Sequence, residues 1–217
     1  MTAFNYAQAR ENMVEQQVRP WDVLDSRVLD VLVRMPRETF VPDAHRALAY
    51  ADLELPLGHG QRMFKPVVEG RCLQALALQP GDAVLHVGCG SGYLSACMAQ
   101  LAGAVQALEI QPELARSATA VLQEQGIDTV TVEVADVFDW DTEQRFDAIC
   151  LGAAVVALPD RFTHWLKPGG RLFAVHGRAP AMEAILHRHD NPGRPESLFE
   201  TELPYLIGAA PAPAFRL

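Results

Sequence analysis

The sharpest hydrophobic pattern in the chain runs from residue 83 to residue 109. A nearly unbroken apolar run, AVLHV at 83–87, gives way to glycines at 88, 90 and 92. Apolar residues at helical spacing follow from 93 to 101, and a second apolar run at 104–108 ends on Glu109. Short solid runs bounded by turn residues predict strands covered on both faces, and the spaced run predicts a helix. The same reading extends in both directions. Upstream, residues 5–19 carry apolar groups at Tyr6, Ala9, Met13, Val14 and Val18 and predict a helix that Arg19-Pro20 ends. Val28, Leu29, Leu32 and Val33 predict a second helix, capped by Asp25 or Ser26 and closed by Pro36. A short third helix is expected at about 44–50 behind Asp43, a loop or short extended segments at 52–70, and a helix at 67–78.

Downstream, Pro112 opens a helix that Gly126 stops near residue 125. Strands are expected at 129–134, 146–151 and 171–175, with a short helix at 159–166 and a tight turn at 167–170. Two further strands, 182–189 and 198–203, are joined by the turn-rich NPGRPES, so an antiparallel edge pair is expected. The fold class is therefore α/β: a three-layer αβα Rossmann-like sandwich on a mostly parallel seven-stranded sheet. A helical lead-in over 1–80 packs on a core over 81–217, as one compact domain. Ligands of such sheets bind at the C-terminal strand ends. Glycines 88–92, Glu109, Asp136 and Gly152 fall at those ends, on four successive strands.

Composition narrows the class of partner. Of 217 residues, 49% are apolar, which sets the chain apart from disordered ones, and the net charge of -9 argues against non-specific nucleic-acid binding. No apolar stretch nears the roughly 20 residues that span a bilayer, and the polar N-terminal stretch does not read as a signal peptide. The four cysteines, Cys72, Cys89, Cys97 and Cys150, form no CxxC pair and read as buried thiols in a reducing cytoplasm.

The glycine turn lets backbone amides approach a ligand and opens a helix whose N-terminus favours negative charge. A dinucleotide turn reads G-x-G-x-x-G, whereas here the third glycine comes one residue early and Tyr93 fills the place that pattern keeps small. No G-x-x-x-x-G-K-[ST] phosphate loop is present. G-x-G-x-G followed by an acid at the end of the next strand is the S-adenosylmethionine pattern. Glu109 can accept hydrogen bonds from ribose hydroxyls, or simply end its strand as a solvated acid. Asp136 can bind an adenine edge, or cap a turn.

At these residues the chain resembles a known family. VLHVGCGSGYLSA, the ALE ending of the second strand, Ala135-Asp136, RFDAICLGAA and LKPGGRLFAVHG resemble a class I methyltransferase. MPRETFVP at 35–42, AYADLELPLGHGQ at 49–61 and Pro66 resemble protein-L-isoaspartate O-methyltransferases. The resemblance spans roughly residues 27–205. It implies that Gly88, Gly90 and Gly92 cradle the methionine part of S-adenosyl-L-methionine, that Glu109 holds the ribose, and that Asp136 and Val137 face the adenine. It also implies methylation of the free carboxylate of an isoaspartyl residue in a damaged protein, a reaction that needs alignment and a dry site and no general base.

Two positions depart from the family's pattern. In Gly58-His59-Gly60-Gln61-Arg62-Met63-Phe64-Lys65-Pro66, Arg62 stands where the family has threonine and Phe64 where it has the serine associated with activity. His86 replaces the acid that helps to position the cofactor's amino group. The catalytic residue is thus left unassigned. Arg62 and Lys65 can hold an acidic acceptor or point to solvent, and Phe64 can stack on a flat acceptor or pack the loop. His59 and Gln61 complete the candidate acceptor loop. Three readings stay open: an isoaspartyl methyltransferase, a methyltransferase with another acceptor such as a small molecule, and a non-catalytic cofactor-binding protein. His187 and His189 on one strand face form a weak metal candidate with no third ligand, so no metal is expected. Trp140 is expected beside the adenine region or on the surface, and Trp21 and Trp165 as packing residues.

Overall fold

The computed structural model describes residues 4–212. The N-terminal segment is helical but not uniformly so. Helix α1 (Tyr6–Met13) widens into a π turn at Val14–Val18 and then tightens into a 3-10 turn at Arg19–Trp21. Pro20 sits in the first turn of that 3-10 segment, where its missing N–H costs nothing, so helical structure runs on to Trp21. Helix α2 (Ser26–Arg34) starts at Asp25, whose side chain accepts from the Arg27 amide. The expected third helix is a 3-10 turn at Asp43–Leu48, and Asp43 lies inside it rather than capping it. Strands β1 (Leu55–Gly58) and β2 (Gln61–Met63) then form a small antiparallel hairpin, and α3 runs over Pro66–Leu76.

The main sheet follows: β3 (Ala83–Val87), α4 (Tyr93–Leu101), β4 (Ala104–Glu109), α5 (Pro112–Glu124), β5 (Val130–Val134), β6 (Phe146–Val155), α6 (Asp160–His164), β7 (Leu166–Arg178), β8 (Ala181–Arg188) and β9 (Asn191–Glu200). Its strand order is β5-β4-β3-β6-β7-β8-β9. β5 to β7 run parallel, and β8 is antiparallel to both of its neighbours. Period-2 alternation sends Val84, Ala148, Cys150, Phe173 and Val175 into the core beneath α1–α4. Leu85, Ile149, Leu151, Leu172 and Ala174 go to the other face, with Phe162 and Trp165. The direction of winding reverses at β3, with β4 and β5 on one side and β6 and β7 on the other. A crevice opens there at the C-terminal ends.

Two expected turns fall elsewhere. Residues 167–170 are a wide bulge inside β7: between the pairs Phe146↔Leu166 and Ala148↔Arg171, β6 advances two residues and β7 five. NPGRPES belongs to β9, and the chain reverses at His189-Asp190. Proline is tolerated there because β9 is an edge strand, with Pro192 and Pro195 making no demand on the ladder beyond it. His189 therefore sits in the turn, exposed, while His187 is buried on β8, and the two do not share a strand face. The sequence predicts a loosely packed proline-alanine tail at 208–217, and its last five residues lie outside the described residues.

Candidate functional site

The β3–α4 junction is held open by backbone geometry. Gly88, Gly90 and Gly92 take φ values of 75°, 53° and 82°. These left-handed conformations strain any residue with a Cβ, so the alternating glycines are required by the turn itself. The Gly88 and Cys89 amides donate to the Leu108 carbonyl, which ties the turn to the end of β4. Glu109, 4% exposed, accepts the Gly90 amide at 2.8 Å on one oxygen and the Gln111 amide at 3.0 Å on the other. Each oxygen keeps a lone pair for a ligand hydroxyl. Across the crevice, β6 comes so close that a Cβ on Gly152 would lie 2.3 Å from the Gly88 carbonyl oxygen.

Asp136 follows β5 and accepts the Phe138 amide at 2.9 Å on Oδ1, while its carbonyl takes the Asp139 and Trp140 amides. It caps a turn, and Oδ2 has no protein donor among the described residues. Val137 beside it is buried. His86 is buried, and its Nδ1 lies 2.7 Å from Ser95 Oγ on α4. Trp140 packs edge-on against Trp165 and donates to Glu133, beyond the crevice.

The hairpin β1–β2 covers the turn. Leu57 Cδ1 lies 2.9 Å from the place a Gly90 Cβ would occupy. His59 adopts φ 51° at the hairpin tip and points to Glu113 on α5, Nε2 to Oε2 3.7 Å, away from the crevice. Gln61 donates back to the His59 carbonyl. Phe64 is 7% exposed, so its ring is a wall and not a free stacking face. Trp21 is 51% exposed and lines a groove, which corrects the expectation of a packing residue; Trp165 is buried as expected.

The hairpin is anchored by a pair that sequence reasoning missed. Arg37 has no exposed surface, and it grips Glu69 through Nε to Oε2 at 3.0 Å and Nη2 to Oε1 at 3.2 Å. Its other protons go to the carbonyls of Ala49 and Phe64, both at 2.6 Å. Burial works against the Arg37 charge, and the ion pair with Glu69 outweighs it. Burial pushes the Glu69 carboxyl up to about 7 against the pull of Arg37. The only signal in the sequence is a charged residue in each of two apolar settings, MPRETFVP and VVEG, 32 positions apart.

Two spaces meet at this loop. A cleft of about 30 Å³ lies against Gly88 and Gly90, walled by His86, Glu69 and Phe64. A groove of about 640 Å³ lies outside it, between Lys65 and Arg71 on one side and residues 199–205 on the other. The donor set suits a nucleoside-bearing cation: a buried carboxylate with spare lone pairs, a free Asp136 oxygen, and a turn that only glycine can form. The cleft itself is only about 30 Å³, room for one or two water-sized groups, with Leu57 of the hairpin over the turn.

The family profile of protein-L-isoaspartate(D-aspartate) O-methyltransferase matches residues 8–194. The chain belongs to this family. It is 40% identical over 178 residues to protein-L-isoaspartate O-methyltransferase 2 of Anaeromyxobacter sp., covering 82% of this chain and 72% of that one. It is 41% identical over 167 residues to protein-L-isoaspartate O-methyltransferase of Methylorubrum extorquens, covering 76% of this chain and 73% of that one. A Plasmodium falciparum structure described as a protein-L-isoaspartate O-methyltransferase in complex with S-adenosyl-L-homocysteine superposes with a TM-score of 0.80 at 21% identity, over 94% of this chain and 99% of that one. This likeness shows the fold. Family membership makes the chain an S-adenosylmethionine-dependent O-methyltransferase.

Among the described residues, no three His, Cys, Asp or Glu side chains form a metal-holding group, and no helix is long and apolar enough to cross a membrane.

Proposed function

We propose that the chain transfers a methyl group to the free carboxylate of an isoaspartyl residue in a protein or peptide. Its strongest support is the convergence of the glycine turn, Glu109, Asp136 and Gly152 on one crevice, with a peptide-sized groove opening beside it. Glu109 holds the ribose, the amides of the turn face the methionine part, and Asp136 with Val137 receives the adenine. His86, kept against Ser95, takes the place of an acid near the amino group.

Bound S-adenosylmethionine supplies a methyl already activated by its sulfonium. The ester C–O bond forms as the methyl–sulfur bond breaks, and no proton moves. The protein therefore supplies alignment and dryness. Phe64 and Leu57 contribute the apolar cover, and Arg37 fixes the loop that carries Phe64. The four buried free thiols suit a reducing, cytoplasmic setting. Residues 1–80 and 81–217 act as one unit, since α1–α3 share a buried cluster with the sheet.

The buried Phe64 ring favours a second reading, a methyltransferase of the same fold with another acceptor, because the hydroxyl expected at that position is gone. An isoaspartyl hexapeptide incubated with the protein and labelled S-adenosylmethionine separates the two. Base-labile methyl ester, trapped as released methanol, is the expected result. Its absence, with S-adenosylhomocysteine still binding, transfers the case to the second reading.

A further inference from the structure

We infer that Arg62 is the residue that grips the acceptor's carboxylate, a role this loop gives to no hydroxyl. This deepens the reading above and rests on it for the identity of the acceptor. Among the described residues Arg62 is the one that lines both the cleft at the glycine turn and the outer groove. It therefore stands where the two spaces meet.

Among the described residues the Arg62 side chain has no ion-pair or hydrogen-bond partner, unlike Arg71 in the same wall. Arg71 donates to the Trp21 and Leu198 carbonyls and lies over the Phe199 ring at 4.9 Å. Arg37, behind the loop, is fully engaged by Glu69 and two carbonyls. Phe64 carries no hydroxyl and His59 is turned to Glu113, while Lys65, the other cation without a partner among the described residues, lines the groove but not the cleft.

A charge-assisted hydrogen bond from Arg62 to one carboxylate oxygen leaves the other oxygen free to face the methyl. Holding that anion beside a cationic donor also offsets its loss of water. The groove sets a second condition. Its walls carry Asp52, Glu54, Glu200 and Glu202 against Arg62, Lys65 and Arg71. With Arg71 taken up by two carbonyls, acids outnumber the unengaged cations. An isoaspartyl residue in a basic stretch of chain is therefore favoured over one in an acidic stretch.

The test uses the full chain saturated with S-adenosylhomocysteine and two fluorescent hexapeptides. One carries an isoaspartyl α-carboxylate and the other the α-carboxamide, each with flanking lysines or glutamates. The wild type is expected to bind the carboxylate at least about tenfold more tightly than the carboxamide, the size of one charge-assisted bond. R62Q is expected to erase that ratio and R62K to keep part of it, with the circular dichroism and melting temperature of both matching the wild type as the check on folding. Lysine flanks are expected to bind more tightly than glutamate flanks, and the difference to shrink with salt.

A ratio near one in the wild type, or a ratio that survives R62Q, overturns the assignment. Turnover by R62Q with unchanged KM overturns it while leaving the isoaspartyl reaction standing. An Arg62-dependent ratio without methyl ester overturns the reaction while leaving the grip standing.

Discussion

Arg37 holds a full charge where no water reaches, and its value lies in what it ties together. One guanidinium joins the 3-10 turn at Arg37–Thr39 to α3 through Glu69, and to the loop through the Phe64 carbonyl. Removing one partner leaves the other charged and buried, so Arg37→Met is expected to cost about 3–5 kcal/mol, read by urea denaturation. Arg37→Lys is expected to recover little, because one ammonium cannot match the fork. Glu69 adds a pH dependence. A carboxyl whose folded value is raised to about 7 from 4.5 contributes stability that is full below pH 4.5 and lost as pH rises to about 7. Denaturation midpoints between pH 5 and 8 are expected to fall more steeply in the wild type than in Glu69→Gln. At this scale the sequence was informative about backbone demands and poor on side-chain partners. The three glycines and the acid at 109 were legible because spacing alone fixes them. The Arg37–Glu69 pair was not, because nothing local links positions 32 apart, and the exposure of Trp21 was not, because an aromatic between Pro20 and Asp22 does not reveal which way it faces.

The elements that build the crevice were largely legible, since solid apolar runs and period 3.6 separate cleanly from β3 to α5. What misled was proline and glycine. Lys167-Pro168-Gly169-Gly170 and NPGRPES both carry turn chemistry, yet one is a bulge within β7 and the other an edge strand. In both places a strand advances five residues against two of its partner, at 166–171 against 146–148 and at 191–196 against 186–188, so the turn residues are absorbed as extra length. Close approach of whole elements gives a sharper prediction. β6 meets the glycine turn at Gly152, where a Cβ would sit 2.3 Å from backbone. Gly152→Ala has to push the two strand ends apart at the crevice. Calorimetry is expected to show S-adenosylhomocysteine affinity falling at least tenfold, while the melting temperature drops by the equivalent of about 1–3 kcal/mol. Unchanged affinity would mean that the crevice is not the cofactor site.

For the whole molecule, the site is assembled from distant parts of the chain. After β9 the backbone crosses back over the sheet, with the Ala154 amide donating to the Pro204 carbonyl and the Leu206 amide to the Ala154 carbonyl, both at 2.8 Å. Leu206 then lies beside Gly88, 3.6 Å from the place of its Cβ. Removal of residues 204 onward is expected to leave the circular dichroism of the sheet in place and to abolish S-adenosylhomocysteine binding, because one wall of the crevice goes with them. From the sequence alone residues 204–207 have no role, lying between an expected strand and a proline-alanine tail, since a hydrogen bond to a strand end leaves no periodic trace. The strand order carries a last consequence. β9 forms one border of the sheet with Pro192 and Pro195 in it, and β5 forms the other without proline. The β9 border therefore offers an interrupted row of donors. Endless stacking of sheets needs two receptive borders per molecule, and the prolines of β9 spoil one of them.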